Sequence, residues 1–265
     1  MNQFILYTAI SQKKEYIYCV QLLIKTLELY TKDTKPIFDI LILHDEVLEE
    51  HIKNSFNSNK FTIFTHKPES VAYSNPEFFY KLKYFDFPLA NNYKKAFYLD
   101  ADILVTTDIT QFFNLETSEN KLYVFPEDTG KFKHNEYYYN PYYPNPLPNE
   151  CIEKYSTQQI YVFNSGTFLF EVANMKQHFD KVIELIIEHK KGAFMDQPFI
   201  NYYFNQIQAP VYIFNKDNYQ LGVDKSKYTN DCILHFAGTG IGNSLSKFQM
   251  MFTYYKDYIL PNKGT

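Results

Sequence analysis

Residues 95–105 read Lys95-Ala96-Phe97-Tyr98-Leu99-Asp100-Ala101-Asp102-Ile103-Leu104-Val105, an apolar strand running straight into two carboxylates separated by one small residue. In extended backbone alternate side chains share a face, so Asp100 and Asp102 are expected to converge on one cation, while Ala101 leaves the backbone open to a close ligand. Hard oxygen donors suit Mg²⁺ or Mn²⁺, ions that keep open positions for phosphate oxygens. The first expectation is a phosphorylated donor molecule. The plain alternative is two acids ending a strand at a solvated turn, and the surroundings of the pair decide between them.

The residues upstream place this stretch in a sheet. Phe4 to Ile10 is a short apolar run, Val20, Leu23, Ile24 and Leu27 follow at helical spacing, and Ile37 to Leu43 is a second run, which predicts β-α-β. A helix over Val47 to Phe56 and a strand over Phe61 to Phe64 continue the alternation that a parallel sheet requires. Residues 1–105 therefore read as a Rossmann-like half. In such sheets ligands bind beyond the carboxyl ends of the strands, where Asp100 and Asp102 stand.

Downstream, Leu122 to Phe125 predicts a strand and Asp128 to Glu150 a long loop. In that loop Tyr137, Tyr138, Tyr139, Tyr142 and Tyr143 are interrupted by Pro141, Pro144, Pro146 and Pro148, which cannot join a regular ladder. Long loops of this kind carry function, and tyrosine faces suit sugar rings, so the loop is expected to border an acceptor site. Gln159 to Phe163 and Thr167 to Phe170 flank Asn164-Ser165-Gly166 and predict a strand pair or a tight bend. Phe179, Val182, Ile183, Ile186 and Ile187 form one apolar helical stripe, which reads as core. Asp196 to Phe204 predicts a helix whose first residue is either an N-cap or a group with chemistry to do. Strands over Val211 to Phe214 and Cys232 to Phe236 and a helix over Ser246 to Tyr258 complete the chain.

Composition narrows the class. With 265 residues, 45% hydrophobic and 19% aromatic, and 25 Tyr and 25 Phe but no Trp, the chain has apolar surface for one large α/β unit with an aromatic core. A net charge of −4 offers no general attraction to nucleic acid. Every positive side chain is Lys, so the bidentate fork most used on phosphate is missing and a diphosphate has to rely on a metal, a lysine or backbone amides. Cys19, Cys151 and Cys232 have no paired spacing, which suits a reducing compartment. No basic region with an apolar signal core opens the chain, and no apolar run reaches the ~20 residues of a membrane helix. The expectation is a cytoplasmic location without a membrane span.

Four motifs then occur in order: Tyr98-Leu99-Asp100-Ala101-Asp102, Phe163-Asn164-Ser165-Gly166, Asp196-Gln197 with Asn201 downstream, and Leu234-His235-Phe236-Ala237-Gly238. No one of them is specific, but the ordered series is. It resembles the glycogenin-like, family-eight retaining glycosyltransferases over Phe4 to about Gly238. The resemblance implies a single α/β domain of GT-A fold with a mixed central sheet, residues 1–105 holding the nucleotide sugar and residues 106–265 serving acceptor and catalysis. It implies a nucleotide-sugar donor, usually a UDP-hexose, and Mn²⁺ (or Mg²⁺) bound by Asp100, Asp102 and His235. It further implies that Lys81 contacts the donor, Asn164 and Ser165 line the sugar pocket, Thr8 and Tyr16 occupy uracil-pocket positions, and Ala101 and Gly238 lie against the donor. Asp196 and Gln197 become the catalytic candidates. The plain readings are a core histidine for His235 and a solvated helix face for Lys81.

Two positions depart from the family. Ala193 stands where relatives carry an acidic residue, and Ile241, within Gly238-Thr239-Gly240-Ile241-Gly242-Asn243, stands where they carry a diphosphate-binding lysine. Lys247 is the nearest substitute, and the glycine-rich loop offers backbone amides instead. The leading expectation is a metal-dependent retaining transferase using UDP-glucose or UDP-galactose, with a glycan or protein acceptor, self-glycosylation of a tyrosine included. Whether retention comes from a nucleophile or from same-face attack stays open at this point, as does oligomeric state, a homodimer among the options. The competing classes are a catalytically inactive relative that binds a nucleotide sugar or carbohydrate, and a nucleotidyltransferase. The latter normally has a Gly-rich basic loop after its first strand, and Thr8-Ala9-Ile10-Ser11-Gln12-Lys13-Lys14 contains no glycine.

Overall fold

The computed structural model describes residues 2–11, 13–33, 35–52, 54–69, 77–126, 163–189, 196–212, 218–223, 229–237 and 246–263. The expected loop over Asp128 to Glu150, and Cys151, Ala193, Gly238 and Ile241, lie outside them. Strand β1 (Phe4–Ile10), helix α1 (Glu15–Tyr30), β2 (Phe38–His44) and β3 (Ile63–His66) form the expected alternating start, followed by β4 (Lys95–Leu99), β5 (Ile103–Val105) and β6 (Leu122–Pro126). After these come β7 (Phe163–Glu171), α2 (Met175–His189), α3 (Gln197–Gln206), β8 (Pro210–Tyr212), β9 (Tyr219–Leu221), β10 (Ile233–His235) and α4 (Lys247–Tyr254).

Seven strands make a central mixed sheet in the order β3-β2-β1-β4-β7-β6-β8, and β5-β10-β9 make a smaller one. β3, β2, β1 and β4 run parallel. β7 is antiparallel to both β4 and β6. Parallel strands are covered on both faces and so read as continuous apolar runs, and β2 (FDILILH) is buried along its whole length. On one face α1 packs Val20, Leu23, Ile24 and Leu27 against Leu6, Ile40 and Ile42. The other face carries the aromatic core, where Tyr7 meets Tyr84 and Tyr98 at ring-centroid distances of 4.9 Å each, and α2 adds Phe179 and Val182.

Buried tyrosines need partners for their hydroxyls, and these lie towards one end of the sheet. Tyr7 donates to the Lys81 carbonyl at 2.8 Å, Tyr84 to the Ala90 carbonyl at 3.1 Å, and Tyr98 to Asp100 Oδ1 at 2.6 Å. The aromatic core thereby grips two residues of the site described below.

Four expectations need correction. Asp100 and Asp102 do not lie on extended backbone: they occupy the turn where the chain leaves β4 of the large sheet and enters β5 of the small one. Apolar residues on both sides of the pair make this switch look like one strand. Asn164-Ser165-Gly166 is neither a bend nor the gap of a strand pair but lies within β7, where Gln197 of α3 accepts from Ser165 N and Asn164 accepts from Gly166 N. The second helix shrinks to a 3-10 turn (Glu46–Leu48) and one α-turn (Glu49–Ile52), since only Leu48 and Ile52 reach the core and Val47 is 67% exposed. Ser58 Oγ then accepts from the amides of Lys60 and Phe61, at 3.0 Å each, and turns the chain into β3, which starts at Ile63 rather than Phe61.

Candidate active site

Asp100 and Asp102 project from the sheet-to-sheet turn, and His235 ends β10, which pairs antiparallel with β5 so that His235 lies opposite Ile103. Backbone bonds tie the three segments together: Asp100 N donates to the Gly166 carbonyl at 2.8 Å, and Phe236 N to the Asp102 carbonyl at 2.9 Å. One ligand atom from each of Asp100, Asp102 and His235 lies within 4.8 Å of the others. His235 Nε2 is 3.2 Å from Asp102 Oδ1 and 3.5 Å from Asp100 Oδ2. Two carboxylates and an imidazole at this separation suit a hard or borderline divalent cation.

Outer contacts orient each of these groups. The Tyr98 hydroxyl occupies Asp100 Oδ1 and leaves Oδ2 towards His235. Tyr219 Oη lies 2.7 Å from His235 Nδ1, leaving Nε2 to face the carboxylates. Lys247, first residue of α4, forms an ion pair with Asp102 Oδ2. Burial works to raise the Asp102 pKa, but His235 and Lys247 outweigh it and hold the carboxyl well below its usual range. For Lys247 burial acts downward, Asp102 overcomes it, and the ammonium is held above its ordinary pKa.

A second cluster adjoins the first. Lys81, following the one-turn helix Glu77–Tyr80, is 8% exposed. Its Nζ lies 2.8 Å from Asp196 Oδ2, 3.5 Å from Asp100 Oδ1 and 3.3 Å from the Ser165 carbonyl. Burial favours loss of its proton, but Asp100 and Asp196 outweigh that and raise its pKa. Lys81 is therefore a buried cation, not a solvated helix residue. Asp196 precedes α3 yet makes no side-chain cap bond. Its Oδ2 instead accepts from Ser165 Oγ at 3.0 Å and pairs with Lys81, so the N-cap reading fails. Gln197 Oε1 accepts from Ser165 N at 3.1 Å. The Asn201 amide bonds both the N–H and the carbonyl of Phe163, at 2.9 Å each, lashing α3 to β7 as a strand would.

Gly166 joins the clusters. A Cβ there would land on Asp100 Oδ2 and His235 Cε1 and lie 2.8 Å from Asn164 Oδ1, so only glycine admits the approach. Asn164 Oδ1 accepts from Gly166 N at 2.8 Å and fixes this backbone.

Of the other expected residues, Ala101 is buried between the two acids. Tyr16 lies on the first turn of α1, and burial raises its pKa, with Asp102 and Asp100 adding to it and Lys247 opposing. Thr8 is wholly buried at the carboxyl end of β1, and its hydroxyl has no hydrogen-bond partner among the described residues. Tyr98 and Tyr219 are functional-site residues that sequence reasoning missed. Tyr98 was within reach, since it stands two residues before Asp100, but nothing in Asn218-Tyr219-Gln220 marks Tyr219.

A sequence model of the family described as "Glycosyl transferase family 8" matches residues 7–240, most of the chain. The chain belongs to glycosyl transferase family 8. No curated protein matches it significantly. Among solved structures, this chain resembles the apo form of the WbbM bifunctional glycosyltransferase, with a TM-score of 0.63 and 12% identity over 97% of this chain and 45% of that one. The apo form of the glycosyltransferase GlyE of Streptococcus pneumoniae TIGR4 gives 0.62 and 17% over 97% of this chain and 60% of that one. An active-site mutant of LgtC gives 0.58 and 14% over 96% and 95%. The chain thus spans about half to three-fifths of the first two proteins and nearly all of LgtC. At these identities the likeness shows the shared GT-A fold. Among the described residues no helix is long and apolar enough to cross a membrane.

Proposed function

We propose that this family 8 chain is a retaining hexosyltransferase that moves a sugar from a nucleotide-diphosphate donor, UDP-glucose or UDP-galactose, to a glycan or protein acceptor, with Mn²⁺ (or Mg²⁺) held by Asp100, Asp102 and His235. One observation carries the reading: the Asp100-Asp102-His235 cluster, half-buried at Asp100 and buried at the other two, meets the buried Lys81-Asp196-Ser165 cluster across Gly166, so a metal-type site and a charged cluster adjoin. When bound, a divalent cation supplies Lewis-acid stabilisation to the departing diphosphate.

The chain's own groups account for the rest. Asp196, paired with buried Lys81, is the group to stabilise positive charge developing at the anomeric carbon. Lys81 holds Asp196 and Asp100 in fixed relation, and its charge lets the Asp196 carboxylate stay buried beside the half-buried Asp100. Asn164 and Ser165 on β7, backed by Gln197, form the wall against which sugar hydroxyls would pack. Tyr16 and the unpartnered Thr8 hydroxyl suit the base end of the donor. Asp196 fits either a covalent role or an electrostatic one in same-face attack. Buried free thiols at Cys19 and Cys232 accord with a cytoplasmic setting. We extend the proposal to the division of the chain into a donor-binding half, residues 1–105, and an acceptor and catalytic half.

The test is a donor screen: release of UDP or GDP from a panel of nucleotide sugars with Mn²⁺, with and without simple acceptors. Release from a UDP-hexose supports the reading. No release from any donor sinks it in favour of a nucleotide-sugar-binding relative.

A further inference from the structure

A cavity of about 610 Å³ lies away from both clusters, at the opposite end of the small sheet β5-β10-β9. β5 leaves Asp102 and ends towards Thr107, and antiparallel β10 begins after Asp231 and ends at His235. Thr107 and Asp231 line the cavity, so up to ~17 Å of extended chain separates it from the metal-type ligands. Its volume falls within the ~300–1,000 Å³ of small-ligand sites.

Hydrogen bonds fix its walls. Asp108 Oδ1 accepts from Thr110 N at 3.0 Å and from Thr110 Oγ1 at 2.7 Å, and Oδ2 accepts from Lys32 N at 3.2 Å. Gln111 Nε2 donates to Thr107 Oγ1 at 2.9 Å. Asp231 takes left-handed backbone at φ 52°, which aspartate tolerates better than most residues. Its N–H donates to the Thr106 carbonyl at 3.2 Å, and Thr106 N donates to the Cys232 carbonyl at 2.8 Å, so the chain is held where β10 begins. Asn230 Nδ2 donates to Asp231 Oδ2 at 3.0 Å.

The lining selects a ligand class. Every side chain that lines the cavity carries a polar group, so an apolar ligand has no wall to bury against. Among them Lys32 is the one basic residue, set against Asp108 and Asp231, and a phosphate-bearing ligand would find no surplus of positive charge. A divalent cation fits no better. Both Asp108 oxygens already accept hydrogen bonds, and among the described residues the group of three suitable ligands is the one around His235. A neutral polyol fits. Each sugar hydroxyl both donates and accepts, the amides of Gln111, Asn114 and Asn230 offer both functions side by side, and Asp231 adds an acceptor.

We propose that this cavity is a second carbohydrate site, which binds a short neutral hexose oligosaccharide apart from the centre where transfer takes place. The inference goes beyond the donor and metal reading and draws only on the chain's membership of a glycosyl transferase family. A glycan held there stays with the protein between transfers, which raises the local concentration of acceptor ends.

Calorimetric titration of the whole chain with maltotetraose and with β-1,4-galactotetraose, each with and without UDP and Mn²⁺, tests it. One of the two is expected to bind, with the same Kd when UDP and Mn²⁺ are present. Asn114→Trp, at an exposed position in the lining, puts a bulky ring into the cavity and should raise that Kd at least about 10-fold with no change in Tm. Gln111→Ala, also exposed, removes one amide and should raise it about 3- to 10-fold, and this milder variant decides if Asn114→Trp fails to fold. No uptake of either oligosaccharide by the wild type, an unchanged Kd in the folded variants, or competition by UDP overturns the second site. Uptake by a chain that binds no UDP supports the cavity and overturns the donor reading instead.

Discussion

The parallel strands β3, β2, β1 and β4 and the later segments β7, α3 and β10 bury their side chains on different terms. In the parallel part, side chains such as Leu41, Ile42 and Leu43 are buried because they are apolar, and their stabilisation scales with area removed from water. In the later part Asn164, Ser165, Asp196, Gln197, Asn201 and His235 are almost as deeply buried, yet all are polar or charged. Each is tolerable only because a partner meets it, as Lys81 meets Asp196 and Asn201 meets the Phe163 backbone. The first region is held by bulk and the second by pairing. Damage to the first should cost stability with little change in the chemistry of surviving molecules, whereas damage to the second should cost both.

Metal removal breaks the contrast hardest. Stripping the protein with EDTA is expected to abolish donor turnover while leaving the apolar core intact, so far-UV circular dichroism should hardly change; undiminished turnover in EDTA would show that the paired region does not depend on a cation. Next in size is Asp196→Asn. If Asp196 acts on charge that develops only in the transition state, kcat should fall by about 10²–10³-fold while donor affinity by calorimetry holds. An affinity loss equal to the rate loss would make Asp196 a ground-state ligand instead.

Two substitutions sharpen the comparison directly. Lys81→Met strands the buried Asp196 carboxylate, takes the ammonium from the half-buried Asp100, and is expected to destabilise the fold by about 3–5 kcal/mol while removing activity from the molecules that remain folded. Leu41→Ala in β2 empties part of the core for a similar cost, about 2–5 kcal/mol. Urea melts paired with kcat per folded molecule separate them, since Leu41→Ala should keep near-normal kcat. If both variants lose kcat alike, the two regions are not independent.

The same contrast explains what the sequence disclosed. Apolar runs and helical spacing make β1, α1 and β2 legible, because in the parallel part pattern and burial are one fact. The later part is legible only through the order of its short motifs and the resemblance they carry; the residues these point to, Asp100, Asp102, His235, Lys81, Ser165, Asp196 and Gln197, lie together in the structure. Pairing has no local signature. Asn164-Ser165-Gly166 looks like a turn because the groups that satisfy this strand, Gln197 at Ser165 and Asn201 at the adjoining Phe163, lie over 30 residues away. The passage from β4 to β5 looks like one strand because nothing in 95–105 says that the two halves join different sheets. Tyr219 is hidden by composition: among 25 tyrosines it looks like the rest, whereas Tyr98 is marked by standing two residues before Asp100.

The smallest expected effect lies on α1, where the two regions meet. Cys19 is fully buried beside Cys232, Leu104 and Met251. Burial, with Asp102 and Glu15 adding to it, pushes its thiol from 9.0 up to about 12. The folded chain therefore keeps a proton that the unfolded chain releases above pH 9. Stability from this thiol is fully present below pH 9, falls as pH rises from there, and is exhausted near pH 12, because over that window the unfolded state binds fewer protons. The buried hydroxyls of Tyr7 and Tyr98, also raised by burial, add to the loss only above pH 10. Between pH 8 and 10 the thiol can be isolated by comparing wild type with Cys19→Ala, each referred to its own stability at pH 8. Wild type should lose about 1 kcal/mol more by pH 10. Native protein at pH 8 should also resist alkylation at Cys19 and accept it readily in urea. Parallel pH profiles for the two proteins, or rapid alkylation of the native state, would mean that the seam between the regions opens to water.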